Sequence, residues 1–267
     1  MPDDDHVLAR DLAAEAGRRL VELRTRGGDP DVLRKAGDRL SHEFLTAALA
    51  DRRPGDVVLS EEGADNPVRL GARRVWIVDP LDGTREFGEP GRTDWAVHVA
   101  LWEKTEREKT ERERRDAGGA GELTAGAVAL PAQGRVLSTL DPPSPPEDGG
   151  APARIRIVVS RTRAPQFVRN ISELVDAELV PMGSAGAKVA AVISGEVDAY
   201  VHGGGFYEWD TAAPVAVARA AGLHASRIDG SALAYNQADL LMPDILVCRP
   251  ALAGSLLQAI REVTNAS

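Results

Sequence analysis

Acidic side chains recur in this chain where short apolar runs end. Val75 to Val78 is one such run, and Asp79-Pro80-Leu81-Asp82-Gly83-Thr84 follows it directly. The run suits a buried strand. Pro80 has no N–H to give a ladder, which predicts that the strand stops there. Asp79 and Asp82 then share the strand's exit with a free-turning glycine and a hydroxyl. Two carboxylates held together repel one another unless a cation sits between them. An oxygen-seeking ion answers that need, most often Mg²⁺ when the substrate carries phosphate. Asp-Pro and Asp-Gly are also ordinary turn dipeptides, and that plainer reading stands beside it.

The theme returns twice. Val57-Val58-Leu59-Ser60 reads as a short strand running into Glu61-Glu62, although paired loop glutamates alone are usually only solvated. Val197 to Val201 reads as a strand, followed by Gly203-Gly204-Gly205 and then Glu208-Trp209-Asp210, ahead of a helix expected at Thr211. Asp210 could cap that helix and still offer an oxygen to a metal. Pro214 is expected in the helix's first turn, where proline is tolerated.

The elements around these acids follow from periodicity. Residues 6–25 read as an amphipathic helix carrying Leu8, Leu12, Leu20 and Leu23. A second helix is expected from Asp38 to Ala50, with Asp38 in the N-cap position. Trp95 to Trp102 alternates as a strand, with Trp95, Val97, Val99 and Leu101 on one face and His98 on the other. At His98 a tolerated strand histidine is the expectation, not a ligand. Residues 104–121 carry a repeated, charge-balanced run that reads as an exposed, mobile insertion at a hairpin tip. Strands are expected at 123–130 and 135–140.

Asp141 to Pro152 contains five prolines and two glycines, which marks a lobe boundary. Beyond it strands and helices alternate, implying an α/β lobe. The expected division is an N-terminal α+β lobe over 1–140 with most of the metal ligands, a linker over 141–153, and a C-terminal α/β lobe over 154–267.

Composition narrows the function. Hydrophobic residues make up 43% and charged residues 27% of the 267, as in a soluble globular protein. A net charge of −9 argues against a nucleic-acid polymer as partner but not against a small anionic substrate, since bound cations can invert the local field. The one cysteine, Cys248, sits in an apolar run and reads as structural. The acidic N-terminus lacks the features of a signal peptide, and no apolar run approaches the ~18 residues of a membrane span. A cytoplasmic location is the default expectation.

Together these segments resemble the inositol monophosphatase family of metal-dependent, lithium-sensitive phosphatases. Asp79-Pro80-Leu81-Asp82-Gly83-Thr84 matches its signature, and Ser60-Glu61-Glu62 and Trp209-Asp210-Thr211-Ala212-Ala213 match its other two motifs in order. Within the family the likeness is to actinobacterial CysQ-type enzymes, through Arg85-Glu86-Phe87, Gly183-Ser184-Ala185-Gly186-Ala187-Lys188 and Tyr207-Glu208. The resemblance covers essentially the whole chain. It implies a mixed α+β and α/β fold, the layered α-β-α-β-α sandwich of the sugar-phosphatase type.

The resemblance also implies roles. Glu61, Asp79 and the Leu81 carbonyl would hold a first Mg²⁺. Asp79, Asp82 and Asp210 would share a second, and Glu61 with waters a third, weaker one. Thr84, with Asp38 behind it, would orient and deprotonate the attacking water, and the amides of Gly83 and Thr84 would receive phosphate oxygens. Arg85, Ser160, Arg161, Arg163, Gly183, Ser184, Lys188 and Glu208 are the expected substrate contacts, with Arg161, Arg163 and Lys188 for a second phosphate and Glu208 toward the sugar. The implied reaction removes the 3′-phosphate of 3′-phosphoadenosine 5′-phosphate, or of its sulfated relative, as housekeeping for sulfur assimilation. Inositol 1-phosphate or fructose 1,6-bisphosphate is the alternative substrate. A non-catalytic metal- or nucleotide-binding protein is the alternative of another class, disfavoured because each expected acid and Thr84 are present. The resemblance leaves monomer and homodimer both open.

Overall fold

The computed structural model describes residues 4–105, 121–144, 154–162 and 164–265. The insertion expected over 104–121 and the linker expected over 141–153 fall largely outside these residues, and Arg163 does so entirely.

The first sheet holds β1 (Val57–Ser60), β2 (Arg74–Asp82), β3 (Ala96–Lys104), β4 (Gly121–Leu130) and β5 (Arg135–Ser138), in that spatial order. β1 and β2 are parallel and the other pairs antiparallel. Helices α1 (Asp5–Thr25) and α2 (Pro30–Arg52) cover one face. There Leu8, Leu12, Leu45 and Leu49 meet Trp76, Val78, Trp95, Val97, Val99 and Leu101 in one buried cluster. This is the face that the alternation of 95–102 marks.

The second sheet runs β10 (His224–Ser226), β12 (Ile245–Cys248), β8 (Ala199–His202), β6 (Arg156–Ser160) and β7 (Glu178–Met182). Helices α4 (Gln166–Leu174) and α7 (Pro250–Asn265) cover its outer face through Val168, Ile171, Leu252 and Leu256. Between the sheets lie α5 (Ala185–Ile193) and α6 (Glu208–Ala220). One cluster there joins Val75, Ile77 and Ala100 of the first sheet to Val158, Tyr200 and Val247 of the second. The layers are therefore α-β-α-β-α, as expected. A two-stranded ribbon of β9 (Phe206–Tyr207) and β11 (Leu241–Met242) was not anticipated. Among the described residues no helix is long and apolar enough to cross a membrane.

Three local expectations are corrected. Strand β2 does not stop at Pro80 but continues to Asp82, with a register shift against β3 between Asp79 and Asp82. β1 ends opposite Val78, so on that side no strand asks Pro80 for the N–H it lacks. Helix α2 begins at Pro30, where Asp29 caps it by accepting from the Asp31 and Val32 amides, so Asp38 lies within the helix. Helix α6 begins at Glu208, three residues before the expected start. Asp210 thus lies in the first turn and Pro214 beyond it.

Candidate active site

The C-terminal end of β2, the short helix α3 (Thr84–Gly88) and the first turns of α5 and α6 meet at one place. Asp79, Asp82 and Asp210 each bring a carboxylate oxygen there, all within 4.8 Å of one another. Each carboxylate has one oxygen anchored by the chain. Asp79 Oδ1 accepts from the Leu81 amide at 3.0 Å. Asp210 Oδ2 accepts from the Tyr207 amide at 2.6 Å, reaching back across its own helix terminus. Asp82 Oδ2 accepts from Ser184 Oγ at 2.5 Å and the Gly186 amide at 2.7 Å. The opposite oxygen of Asp79, Oδ2, is buried without a donor among the described residues. A buried carboxylate oxygen without a donor is costly unless a cation compensates it. Three carboxylates that offer only oxygen atoms fit a hard divalent ion.

The electrostatics carry the same signature. Burial pushes Glu61 up to about 7, reinforced by Asp210, Asp82 and Glu62. Burial raises Asp210 to about 6, with Asp82 adding to it. Asp79 is driven well above the usual range by burial and then by the charges of Glu61, Asp82 and Asp210. Asp82 behaves oppositely. Burial pushes it up, but His98, Ser184 and the Gly186 amide outweigh this and hold it at about 2. Glu61 lies outside the cluster of Asp79, Asp82 and Asp210: as a residue it is exposed at the end of β1, and only its carboxyl end packs inward against Asp79, while its amide turns to the Val78 carbonyl at 3.4 Å.

Thr84 Oγ1 lies 3.2 Å from Asp38 Oδ1 and 2.9 Å from the Leu81 carbonyl. Asp38 reaches it from the middle of α2 because Gly37 lets that helix touch α3. A Cβ at Gly37 would meet Leu81 and Phe87 at 2.9 and 2.8 Å. Burial, and then the charge of Glu62, raises Asp38 to about 6. Gly83 caps α3 with φ +82°, a left-handed conformation that a side chain would strain.

The expected substrate contacts are placed less uniformly. Gly183 and Ser184 lie at the start of α5, beside Asp82, and the Gly183 amide is taken by Asp94 at 2.6 Å. Ser160 and Arg161 line a cleft of about 400 Å³ with Thr162 and Arg169. The Arg161 guanidinium is already engaged, with Glu86 at 2.8 Å and Glu89 at 2.9 Å. Arg85 is largely exposed and pairs with Glu89 at 3.4 Å. Lys188 is buried, donating to the Gly183 carbonyl at 3.3 Å beneath the Tyr200 ring. Glu208, read from the sequence as facing the sugar, is fully buried. Its two oxygens accept the Asn236 and Gln237 amides at 2.6 and 2.7 Å.

Two residues at the site had no functional reading in the sequence. Asp94 is buried and anchors Gly183. His98, expected to be merely tolerated, is fully buried with Nε2 3.2 Å from Asp82 Oδ2. No local pattern marks either, because their partners lie on distant elements.

The model of the family described as the inositol monophosphatase family matches residues 8–109 and 119–265. A 3′-phosphoadenosine 5′-phosphate phosphatase of Mycobacterium leprae is 52% identical over 97% of this chain and 94% of its own length. A protein of the same name from Mycobacterium tuberculosis is 50% identical over 93% of this chain and 90% of its own. Among solved structures, CysQ from Bacteroides thetaiotaomicron superposes with a TM-score of 0.73 at 27% identity, covering 92% of this chain and 97% of that one. The motif order, the five layers and the converging carboxylates agree with these likenesses: the chain belongs to the inositol monophosphatase family.

Proposed function

We propose that the protein is a Mg²⁺-dependent phosphomonoesterase that removes the 3′-phosphate of 3′-phosphoadenosine 5′-phosphate, releasing AMP and inorganic phosphate. The observation that carries the reading is that Asp79, Asp82 and Asp210, each anchored through one oxygen, bring carboxylate oxygens within 4.8 Å of one another. The substrate is supported by the names of the two mycobacterial relatives. Asp79, Asp82 and Asp210, with Glu61 and the Leu81 carbonyl, would hold two Mg²⁺, and Glu61 a third. When bound, these ions supply Lewis acidity and neutralise charge on the phosphate.

The chain's own residues do the rest. Thr84 holds the attacking water in line with the ester bond. As the water's proton moves to Thr84 Oγ1, the hydroxyl's proton passes to Asp38, whose raised affinity for a proton suits a base working near neutrality. The amides at Gly83 and Thr84 receive phosphate oxygens. The Ser160–Thr162 cleft takes the second phosphate, once Arg161 exchanges one of its glutamates for it. A small soluble substrate and a cytoplasmic location belong to the same reading, with Cys248 unpaired and buried as suits a reducing compartment.

The test is phosphate release by the purified protein with Mg²⁺ from four substrates in parallel: 3′-phosphoadenosine 5′-phosphate, its sulfated form, inositol 1-phosphate and fructose 1,6-bisphosphate. Chelator and lithium controls run beside it. A preference in kcat/KM for the adenosine compounds is expected. Preference for a sugar phosphate would keep the acids and discard the second-phosphate cleft. Silence on all four, with metal bound, would leave a binding protein.

A further inference from the structure

We propose that His98 is a positioning residue, which fixes the Asp82 carboxylate for metal binding and ties the strand beside it to the helix that carries Asp210. The proposal rests on the reading of Asp82 as a metal ligand. His98 sits in the middle of β3, opposite Asp79 in the strand register, with no exposed surface. Its Nε2 is packed 3.2 Å from Asp82 Oδ2, the oxygen that accepts from Ser184 and Gly186, and has no other polar partner among the described residues. Its Nδ1 lies 3.1 Å from the Trp209 carbonyl, one residue before Asp210. The same nitrogen is 4.0 Å from Asp79 Oδ2. One rigid ring on β3 therefore stands beside Asp82 and Asp79 of β2 and bonds the residue next to Asp210 in α6.

The packing is specific to an imidazole. Gly186 leaves the space in which the ring lies, because a Cβ there would meet His98 Nε2 at 2.1 Å. The Gly186 amide at the same time donates to Asp82. Ring, glycine and carboxylate form a closed contact. A shorter polar side chain at position 98 could keep the bond to Trp209 but would release Asp82. An ion binding a released carboxylate must immobilise it first, so the loss falls on metal affinity before it falls on the chemical step.

The experiment is calorimetric titration of the metal-free protein with Mg²⁺ or Mn²⁺ alone. It compares wild type with His98→Asn, His98→Gln, His98→Ser and, as a control, Asp82→Asn, with Tm recorded for each. His98→Asn places an amide where Nδ1 was and His98→Gln where Nε2 was. Metal affinity is expected to fall about 10–100-fold in His98→Ser and His98→Asn, with Gln recovering part of it and kcat largely returning at saturating metal. Wild-type affinity in a folded His98→Asn, alongside weakened binding in Asp82→Asn, overturns the role of His98. Wild-type affinity in Asp82→Asn overturns the ligand reading itself. Should His98→Ser fail to fold, the contrast between Asn and Gln still decides, and equal affinities in those two overturn the proposal. A cycle with Gly186→Ala is independent: alanine is expected to be damaging with His98 and much less so beside His98→Ser. Additive effects count against the coupling.

Discussion

Ser184 donates its hydroxyl to Asp82 Oδ2 at 2.5 Å across 102 residues of sequence. It also accepts the Ala187 amide at 3.0 Å as the cap of α5, and it holds φ at +46° to do both. One side chain thus closes a helix terminus and docks it on a carboxylate carried by the other sheet. Ser184→Ala is expected to lower kcat/KM by about 10–100-fold through a loosened Asp82. It should also lower stability by about 1–2 kcal/mol through the lost cap. Steady-state kinetics and denaturant unfolding check the two effects, and an unchanged kcat/KM would detach Ser184 from the site.

Asp79 offers a sharper trade. Its Oδ2 is buried without a donor and faces three other acids. Asp79→Asn is expected to abolish turnover while raising the stability of the metal-free protein by about 1 kcal/mol, since the substitution removes repulsion. Its Tm in chelator should exceed the wild-type value. A lower Tm would mean that the carboxylate is already compensated in the metal-free fold.

The pH dependence of the metal-free protein follows in sign. Glu61 at about 7, Asp210 at about 6 and the raised Asp79 all bind protons more tightly folded than unfolded. From about pH 4, where such groups titrate in the unfolded chain, to about pH 7, the folded state holds the extra protons, so stability is lost as pH rises. Asp82, held low, gains stability only in the more acidic range, below its unfolded value. In chelator, Tm is expected to be lower near pH 7.5 than near pH 5, by roughly 2–4 °C for each kcal/mol lost. Mg²⁺ should restore it at the higher pH and do little at the lower. Equal Tm values would show that the acids do not repel as their positions imply.

Thr84 can be separated from its neighbours. Thr84→Val keeps shape and removes the hydroxyl that lies between Asp38 and the Leu81 carbonyl. A fall of about 100-fold or more in kcat is expected, with KM little changed and Thr84→Ser restoring most of the rate. A rise in KM alone would make Thr84 a binding group.

Glu208 tests a structural role against the sugar contact expected from sequence. Glu208→Gln turns one acceptor into a donor facing a backbone amide, at Asn236 or Gln237. A loss of about 1–3 kcal/mol in unfolding free energy is expected. If KM for the nucleotide rises with stability unchanged, the sugar contact is real.

The sequence by itself determined the layers and pointed to acids that the fold brings together. Alternation at 95–102 marked the buried face of β3, and the ordered motifs contain Asp79, Asp82 and Asp210, whose carboxylates the fold gathers. These are local patterns, set by side-chain period and by residue type near one turn. Asp29-Pro30 also carried the true start of α2, a cap followed by a proline, although Asp38 was read as the cap. Only the tertiary structure decided how the acids are held. It ran β2 past Pro80 because β1 ends beside Val78. It set Thr84 against Asp38 across 46 residues, and His98 against Trp209 across 111. It gave Arg161 to two glutamates and turned Glu208 and Lys188 inward. Such contacts depend on which distant elements the hydrophobic layers press together, and no window along the chain contains both partners.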